Sequence, residues 1–551
     1  MRFSLLFRLN NILEKNGTKI ITLCLSLISI ASFFYFYQQN LGLAYNDARS
    51  HLDIGRRVVE GLKPGLAQLG SVWLPLPHFL MIATIWNSAM WHSGLAGAIN
   101  SMISYVATGI YIWLILKKLK VGPAWRFLGV GAFALNANIL YLQSTAMTEV
   151  LLLLTLTAAI YELICWSDNL KRYSMIKAAF WIMLSTLIRY EGWFLFIVAA
   201  AVIYVVTLKR KGKKEAEGTT ILFSTLAGFG ILLWFVWNKM IFGDFLYFAF
   251  GPYSAHAQQK QLQAAGDLLT KGNILFSLNI YSLASYFTIG AIVLAAGFLG
   301  SILIFFDTNL KTRLKIISVI LLTSPIVFNI LALFMGHSVL FIEGINGKSW
   351  FNVRYGVMAL PAAAVFGAYF ASQSRALKVI VLGLILAASI FPLSDLRKSV
   401  TVEDALYGSS GKDVSQIAGW LKNNVKDKNA RVLVSAASHD AVIFSSGLPM
   451  SQIIHEGTGP FWDASTTNPD HWAKYIVMRT YDVNDSTFKL LENNKAALSK
   501  YDLVYKGNFA DIYELKSQYN SGLSTNFTLT AFENENVRKV EDAKISNIFR
   551  F

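Results

Sequence analysis

Charge is scarce in this sequence. Asp, Glu, Lys and Arg make up 15% of its 551 residues, against about 25% in a typical soluble domain. Hydrophobic residues fill 54% of the chain. Together these exclude an ordinary soluble globular protein. Cysteine is scarcer still. The two present, Cys24 and Cys165, both lie inside apolar runs, so neither a disulfide framework nor a cysteine-based metal site can be built. No Walker sequence and no Gly-x-Gly-x-x-Gly after a strand pattern occurs, which removes the usual nucleotide-phosphate cradles. The first apolar run lacks a small-residue cleavage site with a soluble domain behind it, so it reads as a retained span.

What is present is a series of apolar runs, many of about 18 to 22 residues and long enough to cross a bilayer. We expect eleven transmembrane helices within residues 1–392, with external segments 39–95 and 242–279. Basic clusters punctuate the runs: Lys117-Lys118-Leu119-Lys120, Lys171-Arg172, the Lys209–Lys214 run, Lys311 with Arg313 and Lys315, and Arg375 after the tenth span. All fall on one side of the predicted arrangement, the cytoplasmic side by the positive-inside rule. The N-terminus is then cytoplasmic and the chain a multi-pass protein of the plasma membrane. From Phe391 onward 18 Lys and Arg face 19 Asp and Glu, so the net charge of +16 is carried by the part before it. That excess sits in short loops between spans and is no nucleic-acid footprint.

Residues 393–551 read as a soluble extracytoplasmic α/β domain. A helical period covers Gly411 to Val425, apolar strands cover Arg431 to Ser435 and Tyr475 to Met478, and His439 to Ser446 reads as a helix. Leu503-Val504-Tyr505 and Ile512-Tyr513-Glu514 form a predicted hairpin. Asn526-Phe527-Thr528 matches a glycosylation acceptor triplet, a very common pattern.

Ionisable residues at the outer ends of apolar runs are costly and therefore informative. Asp47 follows the first run, one helical turn before His51, in Tyr45-Asn46-Asp47-Ala48-Arg49-Ser50-His51. Glu149 opens the fourth span, Arg189 and Glu191 flank the turn before the sixth, and Arg354-Tyr355 precede the tenth. Singly, each has an ordinary structural explanation: a helix cap, an ion pair, a snorkelling anchor. On one face of one membrane they read as a site.

Their order, with Trp73-Leu74-Pro75-Leu76-Pro77-His78 after the first acid and Arg354-Tyr355 followed by Pro361, resembles the GT-C superfamily of membrane glycosyltransferases. The pattern is that of protein mannosyltransferases and aminoarabinose transferases, a glycosyltransferase family 39-like type. Many members carry two adjacent acids in the first loop, whereas Ala48 follows Asp47 here. The resemblance implies an inverting transferase. Its donor would be a polyprenyl-phosphate-linked sugar in the membrane lipid, its acceptor a hydroxyl on a glycan, lipid or protein. It implies Asp47 as general base, Glu149 as its orienting partner or an acceptor contact, and Arg354 as the phosphate contact. Tyr355, Glu191, Arg189 and His78 would bind substrate. No cofactor is required, but His51 and His256 could join a carboxylate around a divalent ion. Two other classes compete: a secondary transporter, disfavoured because no internal repeat is visible and the charges avoid mid-span, and a non-catalytic membrane assembly protein of cell-envelope glycan synthesis, which leaves the outer acids unexplained.

Overall fold

The computed structural model describes residues 2–251, 254–373, 378–408, 413–482 and 485–524. Arg375 and the Asn526–Thr528 triplet lie outside them.

Among the described residues, seven helices are long and apolar enough to cross a membrane: Leu13–Gln38, Leu95–Lys118, Glu149–Asn169, Glu191–Lys211, Lys213–Phe242, Thr312–Phe334 and Val353–Gln373. An eighth crossing counts if Ile274–Ile289 and Ala291–Phe306, bent by 116°, are one span. The expected eleven are therefore not reached by length. Three of the expected positions are helical but short: Pro123–Ala134 followed by Ala137–Leu142, then Arg172–Thr186, then Lys378–Ile390. The apolar runs there continue through residues that end the helix early, such as Asn136, which caps the second piece by accepting from the Ile139 amide at 3.1 Å.

The bent pair departs most from the single span expected. Gly290 breaks it with φ 91°, a backbone region that only glycine enters cheaply. A break at membrane depth frees carbonyls that lipid cannot satisfy. Here the side-chain amides of Asn136 and Asn138 both donate to the Thr288 carbonyl at 2.8 Å. Pro325, inside Thr312–Phe334, is accommodated similarly: Ser324 Oγ donates to the Leu321 carbonyl at 2.8 Å.

Short helical pieces lie between the first two long helices. Of these, Asn46–Val59 is buried continuously from Ser50 to Arg56, and Leu76–Ile85 is apolar but only ten residues long. Beyond the membrane part, Val400–Tyr407 packs back onto it: the Thr401 amide and hydroxyl donate to Asn138 Oδ1 at 3.1 and 2.9 Å. These residues belong to the 393–551 segment expected to form the soluble domain.

The α/β part is a five-stranded sheet in the order β2-β1-β3-β5-β4. Strands β1 (Val432–Val434), β2 (Ile453–Ile454) and β3 (Tyr475–Met478) pair in parallel, while β4 (Tyr501–Lys506) and β5 (Asp511–Leu515) form the antiparallel hairpin. The parallel strands are buried throughout, as strands covered on both faces must be. The two-residue β2 is too short to show a sequence period. The sheet domain grips the C-terminal end of the Asn46–Val59 helix: Arg57 meets Asp440 at 3.5 Å, and the Met450 amide donates to Glu60 Oε1 at 2.9 Å.

The tightest helix contact predicts a specific weakness. A Cβ on Gly300 would stand 1.9 Å from the Phe366 carbonyl oxygen, a backbone atom that cannot swing aside. Small residues permit such close approach in membrane proteins. Gly300→Val is expected to destabilise the fold by about 1–3 kcal/mol or more through overpacking, read as a lowered unfolding midpoint in detergent. A wild-type midpoint would contradict this contact.

Candidate functional site

Asp47, Glu149 and Glu191 each stand in the first turn of a different helix. The helix dipole favours a carboxylate there. The three acids are linked through two guanidinium groups. Arg354 Nη2 donates to Asp47 Oδ2 at 2.6 Å, and Arg354 Nε donates to Glu149 Oε1 at 3.0 Å. Arg189 Nη1 donates to that same Glu149 oxygen at 3.2 Å, and its Nε donates to Glu191 Oε1 at 3.3 Å. One oxygen of Glu149 thus bridges the two arginines.

Burial decides what each group can do. The Arg354 side chain is 3% exposed and that of Glu149 fully buried, whereas Asp47 keeps 29% of its side chain open. Asp47 is therefore the acid a substrate can reach. Aromatic rings close the sides. Arg354 stacks over Tyr45 at 4.9 Å and over Tyr355 at 5.4 Å, and Arg189 over Tyr355 at 4.5 Å. Such faces attract a desolvated cation.

The sequence reading did not single out two members. Tyr45 donates its hydroxyl to Asp404 Oδ2 at 3.0 Å, and that oxygen lies 3.8 Å from Arg354 Nη1. Asp404 is fully buried on Val400–Tyr407. Burial pushes its carboxyl up to about 6, against the downward pull of Arg354 and the Tyr45 hydroxyl. Tyr45 sat inside the opening motif. The available signal for Asp404 was a pair of acids, Glu403 and Asp404, set among Val400, Val402 and Ala405, where a carboxylate is unfavourable unless it finds a partner.

The histidines fall elsewhere. His51 Nδ1 and His78 Nε2 are 2.7 Å apart, and Trp73 lies 4.5 Å from the His51 ring. Burial pushes His51 down to about 3, helped by Arg354 and Arg189, and pushes His78 well below its ordinary value. Both are neutral at pH 7, one donating to the other. His78 is fully buried and meets the site through His51. His256 is exposed and packs edge-on to Phe250 at 5.8 Å. Among the described residues no group of three or more His, Cys, Asp or Glu is placed to hold a metal ion. The donor set expected of His51 and His256 does not fit one, since His51 turns its Nδ1 to a second histidine.

A comparison with protein-family models gives no match, and neither does one with curated proteins. Among solved structures, the chain is similar to ArnT from Cupriavidus metallidurans bound to undecaprenyl phosphate. The TM-score is 0.53, with 11% identity over 92% of this chain and 99% of that one. The chain shares the fold of that ArnT structure. ArnT in the apo state aligns over 89% of this chain and 98% of its own, with 11% identity and TM-score 0.49. AglB from Archaeoglobus fulgidus, an archaeal oligosaccharyltransferase in complex with an inhibitory peptide and a dolichol-phosphate, aligns over 92% of this chain and 75% of its own, with 12% identity and TM-score 0.48. These two values are too low to add to the argument. At such identities the likeness is one of fold. With seven helices long and apolar enough to cross a bilayer among its described residues, the chain is an integral membrane protein.

Glu149 carries the electrostatic balance of the cluster. Removing one partner of a buried pair costs about 3–5 kcal/mol because the other charge is left uncompensated. Glu149→Ala, which leaves Arg354 to Asp47 and Arg189 to Glu191 with no charge between the two guanidinium groups, is expected to cost up to that amount, and Glu149→Gln less by keeping one acceptor. Chemical denaturation of both variants in one detergent checks the order; an Ala variant no less stable than the Gln variant would contradict it.

Proposed function

We propose that the protein is an inverting glycosyltransferase. It moves a sugar from a polyprenyl-phosphate-linked donor to an acceptor hydroxyl on the extracytoplasmic face. The observation that supports this most is the Arg354 fork, set beside one open carboxylate, Asp47, in a GT-C fold. A neighbour of that fold, ArnT, was solved bound to undecaprenyl phosphate.

In this reading Asp47 accepts the acceptor's hydroxyl proton as its oxygen attacks the anomeric carbon. The bond from that carbon to the phosphate oxygen breaks on the opposite face, so a single displacement inverts the centre. The phosphate gains one negative charge as the sugar leaves. The donors it meets are Arg354, freed as protonated Asp47 weakens as an acceptor, and the more open Arg189. Glu149 fixes both guanidinium planes, and Tyr355 and Glu191 fix Arg189 from either side. The acids mark an outer face by the charge pattern of the loops, and the sheet domain lies on that side.

Asp47→Asn keeps the shape and removes the basicity, so transfer of labelled sugar from a polyprenyl-phosphate donor should drop about 10²–10⁴-fold while the unfolding midpoint changes little. Retention of most activity would remove Asp47 from the role. Arg354→Lys keeps the charge but loses the fork, so it should be impaired less than Arg354→Ala and more than wild type. Because the phosphate charge grows in the transition state, the loss should fall on turnover as well as on donor affinity. Solute flux without sugar transfer would favour a transporter instead. Protease cleavage of the sheet domain from the cytoplasmic side of inverted vesicles would overturn the topology.

A further inference from the structure

Asp404 comes from the chain just after the last membrane helix, yet it lies against the centre of the site. Its helix is held in place independently of the site. Thr401 pins it to Asn138, and Asn138 is itself tied to the Thr288 carbonyl at the broken span. At the other end of the helix, the Gly408 amide donates back to the Asp404 carbonyl at 3.1 Å. One Asp404 oxygen accepts from Tyr45 and faces Arg354 Nη1, and the other has no hydrogen-bond partner among the described residues.

The groups facing this carboxylate are few. Tyr45 comes from the start of the Asn46–Val59 helix, Arg354 from the turn before Leu360–Gln373, and the like charges Asp47 and Glu149 lie beyond the guanidinium. Tyr141 from Ala137–Leu142 also feels its charge. On its own helix Glu403 points elsewhere, towards Glu343. Tyr45 stacks on the same guanidinium that its hydroxyl partner attracts. Asp404 and Tyr45 thus hold Arg354 on the side opposite Glu149.

We propose that Asp404 is a positioning residue of the site: acting from beyond the membrane part, it fixes Tyr45 and Arg354 and so sets how strongly Arg354 holds Asp47. This rests on the transferase reading for its effect on turnover. When charged, Asp404 draws on Arg354 and adds a negative charge near Asp47, so Asp47 holds a proton better and is the stronger base. When Asp404 is neutral, Arg354 is free to grip Asp47 and lower its basicity.

The experiment compares wild type with Asp404→Asn, Asp404→Glu and Tyr45→Phe in the full chain. Asp404→Asn should lower turnover roughly tenfold, a small part of the 10²–10⁴ a general base contributes, with donor KM little changed. Its acid limb should move to lower pH. Asp404→Glu should recover part of the turnover. Tyr45→Phe keeps the ring and removes the hydroxyl that favours charged Asp404, so its profile should move to higher pH. A second readout needs no activity. A carboxyl raised to about 6 in the folded protein contributes full stability below its ordinary value and loses it as pH rises through 6. The melting temperature of Asp404→Asn minus that of wild type should therefore widen between roughly pH 4 and pH 6 and level off above. Wild-type turnover and an unchanged pH profile in Asp404→Asn, or a melting gap independent of pH, overturns the inference. An absence of sugar transfer by the wild type falls on the transferase reading alone, and the melting gap still decides the placement of Asp404.

Discussion

A guanidinium group cannot leave water without company, and the folded chain is arranged around that requirement. Arg354 is almost entirely buried, so its charge must be met by carboxylates with good geometry and its faces by rings. The residues that meet it lie far apart in sequence: Asp47, Glu149 and Asp404 supply charge, Tyr45 and Tyr355 supply faces. Each acid sits on a different helix, so satisfying Arg354 fixes the relative position of three helices. Glu149 extends the constraint to Arg189, and through it to Glu191 on a fourth. Misplacing any of these helices would leave a charge exposed to a low dielectric. Packing alone, between apolar helices in lipid, has no comparable power to choose one arrangement.

The same requirement explains how much could be read from the sequence. Polar residues at the ends of apolar runs are few, and their position there is costly unless they meet one another. That is why Asp47, Glu149, Arg189, Glu191, Arg354 and Tyr355 could be named beforehand, and the structure brings all six together. The α/β elements were legible for another reason: β1, β3 and the β4–β5 hairpin are marked by apolar or alternating runs with turn residues between them. The number of spans was less legible. Hydropathy registers apolar residues whether or not the helix continues, so it does not see the break at Gly290 or the caps that shorten the other segments.

Two features were set by side-chain partners, which no pattern along the chain encodes. His51 follows Asp47 by one turn and could be imagined turning towards it with a metal ion between. Burial favours the neutral ring, and a neutral ring is satisfied by His78, which the Pro75–Pro77 turn delivers to it. Asp404 was hidden differently. It follows the last apolar run and its neighbours look like the start of a soluble domain. Only the return of Val400–Tyr407 onto Asn138, a contact between residues 263 positions apart, shows where it belongs.

The charge of the cluster bears on the proposed chemistry. Four carboxylates face two guanidinium groups, an excess that would repel an incoming phosphate if all four acids were equally charged and equally near. They are not. Glu149 and Glu191 are spent on the arginines, and Asp404 is fully buried with one oxygen taken by the Tyr45 hydroxyl. The open negative charge is that of Asp47. As the acceptor's proton passes to Asp47, that charge disappears, and in the same displacement the departing phosphate gains one. The site therefore keeps its net charge through the reaction, and Arg354, bonded to Asp47 at the start, is released towards the phosphate as Asp47 weakens as an acceptor. A buried, water-poor site tolerates a change in the location of charge far better than a change in its amount. On this argument the Arg354–Asp47 contact does not compete with phosphate binding. It is the starting position of the group that stabilises the leaving phosphate.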